Sequence, residues 1–216
     1  MSQKNETTIL ILALAITLGL LFTGFWLFNG VINRQKDQPI PPFTGSLEER
    51  ISLGNKILVN ADRNPNKEAG VTAFAKVDFP TAIAQLESSL KKKRNDPEAW
   101  IYFNNAKAAE NNPLKIGVSV PIGGNLNIAK EILRGVAQAQ DEVNNNGGIN
   151  GMPLQVEIAN DDNDPSIVKK IADKWVKNTK ILAVVGHNTS DASLAGAPIY
   201  QQGNLVMISP TSNAKK

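Results

Sequence analysis

The 216-residue chain has no cysteine and a single histidine, His187. The first absence excludes a disulfide framework, thiol catalysis and thiolate metal ligation. It also excludes attachment through a lipid-modified cysteine. One histidine rules out a histidine-rich metal centre. The acidic group Asp161-Asp162-Asn163-Asp164 lacks the loop pattern of a calcium site and reads as a turn and helix cap. No metal and no cofactor is expected. An excess of either charge is also missing: 23 Lys and Arg stand against 20 Asp and Glu, and a net charge of +3 does not point to nucleic acid. No G-x-G-x-x-G follows the first strand-like run, and no serine–histidine–carboxylate arrangement is evident, so the chain is not expected to be an enzyme. Its length allows one or two domains.

What is present begins with a long apolar run. No charged residue occurs from Thr7 to Asn33, and Ile9–Phe28 is almost wholly apolar. About twenty helical residues rise roughly 30 Å, the thickness of a bilayer's hydrocarbon core. A cleaved signal peptide has a shorter core and a small-x-small site. This run is long and ends on Phe25-Trp26-Leu27-Phe28, bulky residues with an interfacial tryptophan. Residues 1–30 are therefore expected to be an uncleaved transmembrane anchor. Lys4 on one side and Arg34 and Lys36 on the other do not orient it. Residues 31–45 contain Gln38-Pro39-Ile40-Pro41-Pro42 and read as an extended linker with a reach of roughly 45 Å.

Residues 46–112 read as a small α-helical module. Ser46-Leu47-Glu48-Glu49 has the form of a capping box, whereas Ile51, Leu53, Ile57 and Val59 alternate. A short helical turn followed by extended chain is expected. From Lys67 the period is helical, with Ala69, Ala73 and Val77 on one face. Asp78-Phe79-Pro80 breaks that run, Ala82, Ile83, Leu86, Ser89 and Leu90 line a second helix, and Asn95-Asp96-Pro97-Glu98 opens a third with Trp100, Ile101, Phe103 and Ala106. The spacing of Gly70, Ala82 and Trp100 resembles the packing positions of tetratricopeptide repeats, over about one and a half repeats. A structural spacer and a protein-docking module both stay open as roles. Lys91-Lys92-Lys93-Arg94 closes the second helix, where cations complement the helix dipole.

In residues 113–216 apolar runs alternate with helical periods. The runs are Lys115–Val120, Leu154–Ala159, Ile181–Val185 and Leu205–Ile208. The first intervening helix, Asn127–Asn146, carries Ile128, Ile132, Val136, Ala139 and Val143 on one face. The second, capped by Asp164 with Pro165 at its first position, buries Val168, Ile171, Ala172, Trp175 and Val176. The third runs from Ser190 to Gln202 with a kink expected near Pro198. Strands alternating with helices imply a parallel sheet, and ligands of such sheets bind beyond the carboxyl ends of the strands. There lie Gly186-His187-Asn188-Thr189-Ser190 and Ser209-Pro210-Thr211-Ser212-Asn213. His187 reads as a residue that structures its loop.

Five segments carry a resemblance: Lys115-Ile116-Gly117-Val118, Asn146-Gly147-Gly148-Ile149-Asn150-Gly151, Asp161-Asp162-Asn163-Asp164-Pro165, Val184-Val185-Gly186-His187 and Ile208-Ser209-Pro210-Thr211-Ser212. In this order and spacing they resemble the type I periplasmic substrate-binding proteins of ABC transporters, in the leucine/isoleucine/valine-binding branch. The anchor and helical module ahead of them are similar to cyanobacterial variants of that family. The resemblance implies a partial α/β lobe, lobe I of two. It implies that Ser190 meets a ligand's α-carboxylate, that Thr211, Ser212 and Asn213 supply the rest of the contacts, and that the Thr211 carbonyl accepts from the α-ammonium. Members usually carry Thr or Ser where this chain has Asn213. The implied partners are a branched-chain or other neutral amino acid, held once a second lobe completes the site, and a transporter permease. The implied location is the inner membrane, single-pass, with the soluble part on the periplasmic side. A truncated or split member is expected. The competing expectation is a membrane-anchored interaction module whose α/β segment is vestigial.

Overall fold

Helix starts in this chain are marked by side-chain acceptors. The computed structural model describes residues 45–213, and in it six helices open on such a residue. Helix α1 (Pro65–Ala75) is capped by Asn64, α2 (Phe79–Lys92) by Asp78, α3 (Pro97–Ala108) by Asp96 and α4 (Leu126–Asn145) by Asn125. Asp164 caps α5 (Pro165–Val176) and Thr189 caps α6 (Ser190–Gln202). Each cap accepts a first-turn N–H and stabilises its helix by about 1 kcal/mol. Proline at the first or second position of α1, α2, α3 and α5 fits the same rule, because an N–H there has no intrahelical partner. The expected anchor at residues 1–30 and nearly all of the linker lie outside the described residues. Among the described residues no helix is long and apolar enough to cross a membrane.

The strands are β1 (Ile51–Ser52), β2 (Leu114–Val120), β3 (Leu154–Asn160), β4 (Ile181–Val185) and β5 (Val206–Ile208). They form one sheet in the order β1-β3-β2-β4-β5. The four later strands are parallel, and β1 joins the edge antiparallel to β3, so the sheet is mixed where a parallel one was expected. A 3-10 turn, Leu47–Arg50, leads into β1, and the Ser46 N–H donates to Glu49 Oε2 at 3.0 Å as the capping-box reading requires.

Helices α3 and α4 cover one face of the sheet. There Ile101, Tyr102, Leu133 and Ala129 pack with Val118, Val120, Val156 and Ile158. On the other face α5 and α6 bring Ile171, Trp175 and Tyr200 against Ile51, Ala159, Ile181 and Val184. Two faces differ from expectation. In α4 the buried stripe is Ala129, Leu133, Ala137 and Gln140, with Ile128 exposed. The small alanines let α4 approach α3 and the sheet closely, and the larger Ile132 and Val136 pack at the flanks of that contact. In α1 the buried residues are Lys67, Gly70, Val71, Ala73 and Phe74. Val77 lies past the helix end at a positive φ of 63° and is exposed. At Gly70 a Cβ would lie 2.7 Å from Leu86 Cγ, so α1 and α2 approach too closely for a larger residue.

Helix α3 also closes the sheet edge that two-residue β1 leaves open. The Asn105 side chain donates to the carbonyls of Leu53 (2.7 Å) and Val156 (2.8 Å) and accepts from the Val156 N–H (2.8 Å). One amide side chain thus stands in for a strand neighbour. Gln140 of α4 donates to the same amide oxygen at 2.7 Å.

Candidate functional site

The strand order reverses between β2 and β4, because β3 lies on one side of β2 and β4 and β5 on the other. At such a switch point the loops leaving the two strands diverge and open a crevice at their carboxyl ends. The loops here are residues 121–125, 161–164, 186–189 and 209–213. Gly186 makes the approach possible. Its φ is +136°, and a Cβ would fall 2.6 Å from the Ser119 carbonyl oxygen. Its N–H donates to the Ile208 carbonyl at 2.9 Å, which ties β4 to the end of β5.

Below these loops lies a buried polar network. Asp161 Oδ2 accepts from the Ser119 hydroxyl at 2.8 Å and lies 2.6 Å from His187 Nδ1. His187 Nε2 lies 3.1 Å from the Tyr200 hydroxyl. Burial, with the Asp161 charge second, pushes the Tyr200 hydroxyl far above its usual range, so it keeps its proton and donates to Nε2. That assigns the ring proton to Nδ1, donated to Asp161. The His187 carbonyl accepts from the hydroxyls of Ser193 (3.2 Å) and Ser209 (2.7 Å). His187 therefore holds its own loop, as its position in the sequence suggested. The carboxylates of 161–164 are engaged as turn and cap: Asp161 Oδ1 accepts from the Asn163 N–H, Asp162 Oδ1 from the Gly123 N–H, and Asp164 from the Ser166 N–H.

The four expected ligand residues fall on two adjoining loops but are not equally gathered. Ser190 is the first residue of α6, and the cap beside it is Thr189, whose hydroxyl accepts from the Ala192 N–H at 3.3 Å. A capping role for Ser190 is thereby corrected, because its neighbour already occupies that position. The Ser190 hydroxyl instead faces Ser212, whose Oγ lies 3.4 Å away. Thr211 is close by, but its hydroxyl donates to the Asn188 carbonyl at 2.6 Å. Asn213 is exposed, and among the described residues its side chain makes no hydrogen bond. Two residues to which the sequence reading assigns no role set this geometry. Ser209 Oγ bridges the loops by donating to His187 and accepting from the Ser212 N–H at 3.0 Å. Asn188 receives Thr211 and reaches towards Asn163 at 3.5 Å. Their one sequence signal is membership of the polar clusters at strand ends.

Comparison with known proteins finds binding proteins similar to this segment. Residues 113–216 match the family model described as periplasmic binding protein. An amino acid binding protein of Pseudomonas aeruginosa is 33% identical over 98 residues, covering 45% of this chain and 26% of that protein. Leu/Ile/Val-binding protein homolog 1 of Brucella abortus is 30% identical over 96 residues, covering 44% of this chain and 26% of that protein. A solved structure, an ABC transporter substrate-binding protein from Desulfitobacterium hafniense in complex with Leu, is 33% identical with a TM-score of 0.44 and covers 47% of this chain and 30% of that one. The segment is homologous to substrate-binding proteins for branched-chain amino acids, and the chain spans about a quarter of the length of the curated relatives it matches.

Proposed function

We propose that residues 113–216 form one wall of a solute site for a branched-chain or other neutral amino acid. The observation that carries this reading is the meeting of Ser190 and Ser212 at the N-terminus of α6, beside the switch point. The first N–H groups of a helix have no intrahelical acceptor and favour an anion. Two hydroxyls at the same end suit a carboxylate, and Asp191, the acidic residue of that first turn, is exposed. In this reading Ser190 and Ser212 take the α-carboxylate. Thr211 acts through its backbone carbonyl towards the α-ammonium, because its hydroxyl is already engaged with Asn188. Asn213 contributes from either end of its amide. A second lobe closes the site in the working protein, which is tethered by residues 1–30 on the periplasmic side and delivers its solute to a transporter permease. The relatives' names support the ligand class.

Titration calorimetry of the full chain with leucine, valine and alanine, alone and with a complementing second lobe, tests the proposal. Saturable binding is expected, and Ser190→Ala is expected to weaken it about tenfold, the effect of losing one hydrogen bond to a charged group. No heat with any neutral amino acid in either arrangement refutes the reading. Unchanged affinity in Ser190→Ala moves the carboxylate contact elsewhere.

A further inference from the structure

A groove unrelated to the switch point runs where α4 meets α3 and the end of α2. It consists of two adjoining depressions of about 230 Å³ and about 210 Å³ that share Arg94 and Trp100. Half-buried Trp100 and Phe103 form its floor, their rings packed edge to face at 5.9 Å. The groove is preformed. The Trp100 indole N–H donates to the Arg94 carbonyl at 3.0 Å, and Arg134 Nε donates to Asn95 Oδ1 at 2.8 Å, fixing the α2–α3 turn to α4. The rim is basic. Arg94 makes no ion pair among the described residues, while Lys91 pairs with Glu87 and Arg134 with Glu131 on the surface. Asp141, the acid at the far end, accepts from Asn145.

We propose that this groove binds an acidic peptide segment that carries an aliphatic or aromatic side chain. The apolar side chain sits on Trp100 and Phe103, and a neighbouring carboxylate meets the unpaired Arg94 guanidinium, with Arg134 beside it. A planar guanidinium pairs bidentately with a carboxylate. The groove's concavity selects a peptide over a flat lipid surface, which would touch Lys91 and Lys92 without reaching the aromatic floor. Arg94, the last residue of the basic run, thus gains a role besides closing a helix. This reading is independent of the amino-acid site.

Fluorescence anisotropy with the full chain and a labelled peptide of repeated Glu-Glu-Leu units tests it. The controls are Lys-Lys-Leu and leucine-free glutamate peptides, and vesicles of anionic or zwitterionic lipid. Saturable, salt-sensitive binding of Glu-Glu-Leu alone is expected. Arg94→Glu, at an exposed position, is expected to weaken it about tenfold with unchanged thermal unfolding. Trp100→Leu is expected to weaken binding as well but also to lower the unfolding midpoint, because it loses the bond to the Arg94 carbonyl and part of the packing, so Arg94→Glu is the deciding variant. No binding of Glu-Glu-Leu, equal binding of either control peptide, binding only to anionic vesicles, or indifference to Arg94→Glu each overturns the proposal.

Discussion

Lys67 is fully buried, and its ammonium lies 2.8 Å from Asp96 Oδ2 and 2.7 Å from Glu98 Oε2. Burial pushes the ammonium pKa down, but Glu98 and Asp96 outweigh it and hold it above its usual range. One cation between two carboxylates leaves a negative charge uncompensated, and burial raises Asp96 despite Lys67. Lys67→Met removes the cation and keeps the stem's packing. Glu98 retains the N–H groups of Leu58 (2.7 Å) and Val59 (3.2 Å) and the Tyr102 hydroxyl (3.0 Å), and Asp96 retains the Ala99 N–H (3.0 Å). Those contacts do not neutralise two buried anions, and breaking a buried ion pair from one side costs about 3–5 kcal/mol. Against a total stability of roughly 5–15 kcal/mol this is a large fraction. With a urea slope of about 2 kcal/mol per molar, the midpoint should fall by about 2 M at pH 8. The sign with pH follows from Asp96, whose carboxyl is raised by burial. A folded-state acid with a raised pKa binds more protons than its unfolded counterpart, so stability falls as pH rises through that range. Losing Lys67 removes the attraction that opposes burial at Asp96 and raises that carboxyl further, so the deficit should shrink between pH 8 and pH 5. Urea titrations followed by circular dichroism at both pH values measure this. A midpoint within about 0.5 M of wild type at pH 8, or a deficit that grows on acidification, refutes the reasoning.

Two further substitutions probe how the helices meet the sheet. Asn105→Leu leaves the Val156 N–H and carbonyl and the Leu53 carbonyl without their partner, and about 2–4 kcal/mol of stability should be lost. Hydrogen exchange at the Val156 amide should accelerate with it; continued protection would show that β3 does not depend on α3. Gly117→Ala places a Cβ 2.8 Å from Trp175 Cη2 in the buried layer beneath α5. Overpacking there should cost about 1–3 kcal/mol and shift Trp175 emission to the red, and an unchanged spectrum would contradict the packing described.

The elements were legible because local rules agreed with the fold. Ile181–Val185 and Ser190–Gln202 have the bounds read from sequence, and Asp96-Pro97 and Asp164-Pro165 announce their helices through cap chemistry. Burial was less legible. Periodicity names an apolar face but not which side of it meets the sheet, so Ile128 was placed inward and Ala129 overlooked. Lys67 was invisible as a core residue, because only the positions of Asp96 and Glu98, about thirty residues away, make a buried ammonium stable. The loops of the candidate site were found from strand ends alone. Their internal wiring was not, because Ser209, Asn188 and Ser190 are interchangeable hydroxyl or amide residues until the backbone fixes which one faces which.

The wiring also changes what the segment ahead of β2 does. Arg50, at the end of the 3-10 turn, donates to Asp162 Oδ2 at 2.7 Å and to the Asn160 carbonyl at 3.3 Å. The other oxygen of Asp162 accepts from the Gly123 N–H at 2.7 Å, in the loop that leaves β2. One carboxylate therefore joins residue 50, the β3–α5 loop and the β2–α4 loop. Asp162 itself has a positive φ of 52°, a conformation an aspartate keeps when its side chain is held by such bonds. β1, paired to Ala159 and Ile158, fixes Arg50 in register with the loop it braces. Residues 46–112 are thus more than a length of chain ahead of residues 113–216. They supply an edge strand, an amide that substitutes for a strand at Asn105, and the cation that locks two of the four loops around the switch point. Any ligand held there meets a wall whose rigidity originates partly in sequence that carries none of the family's motifs.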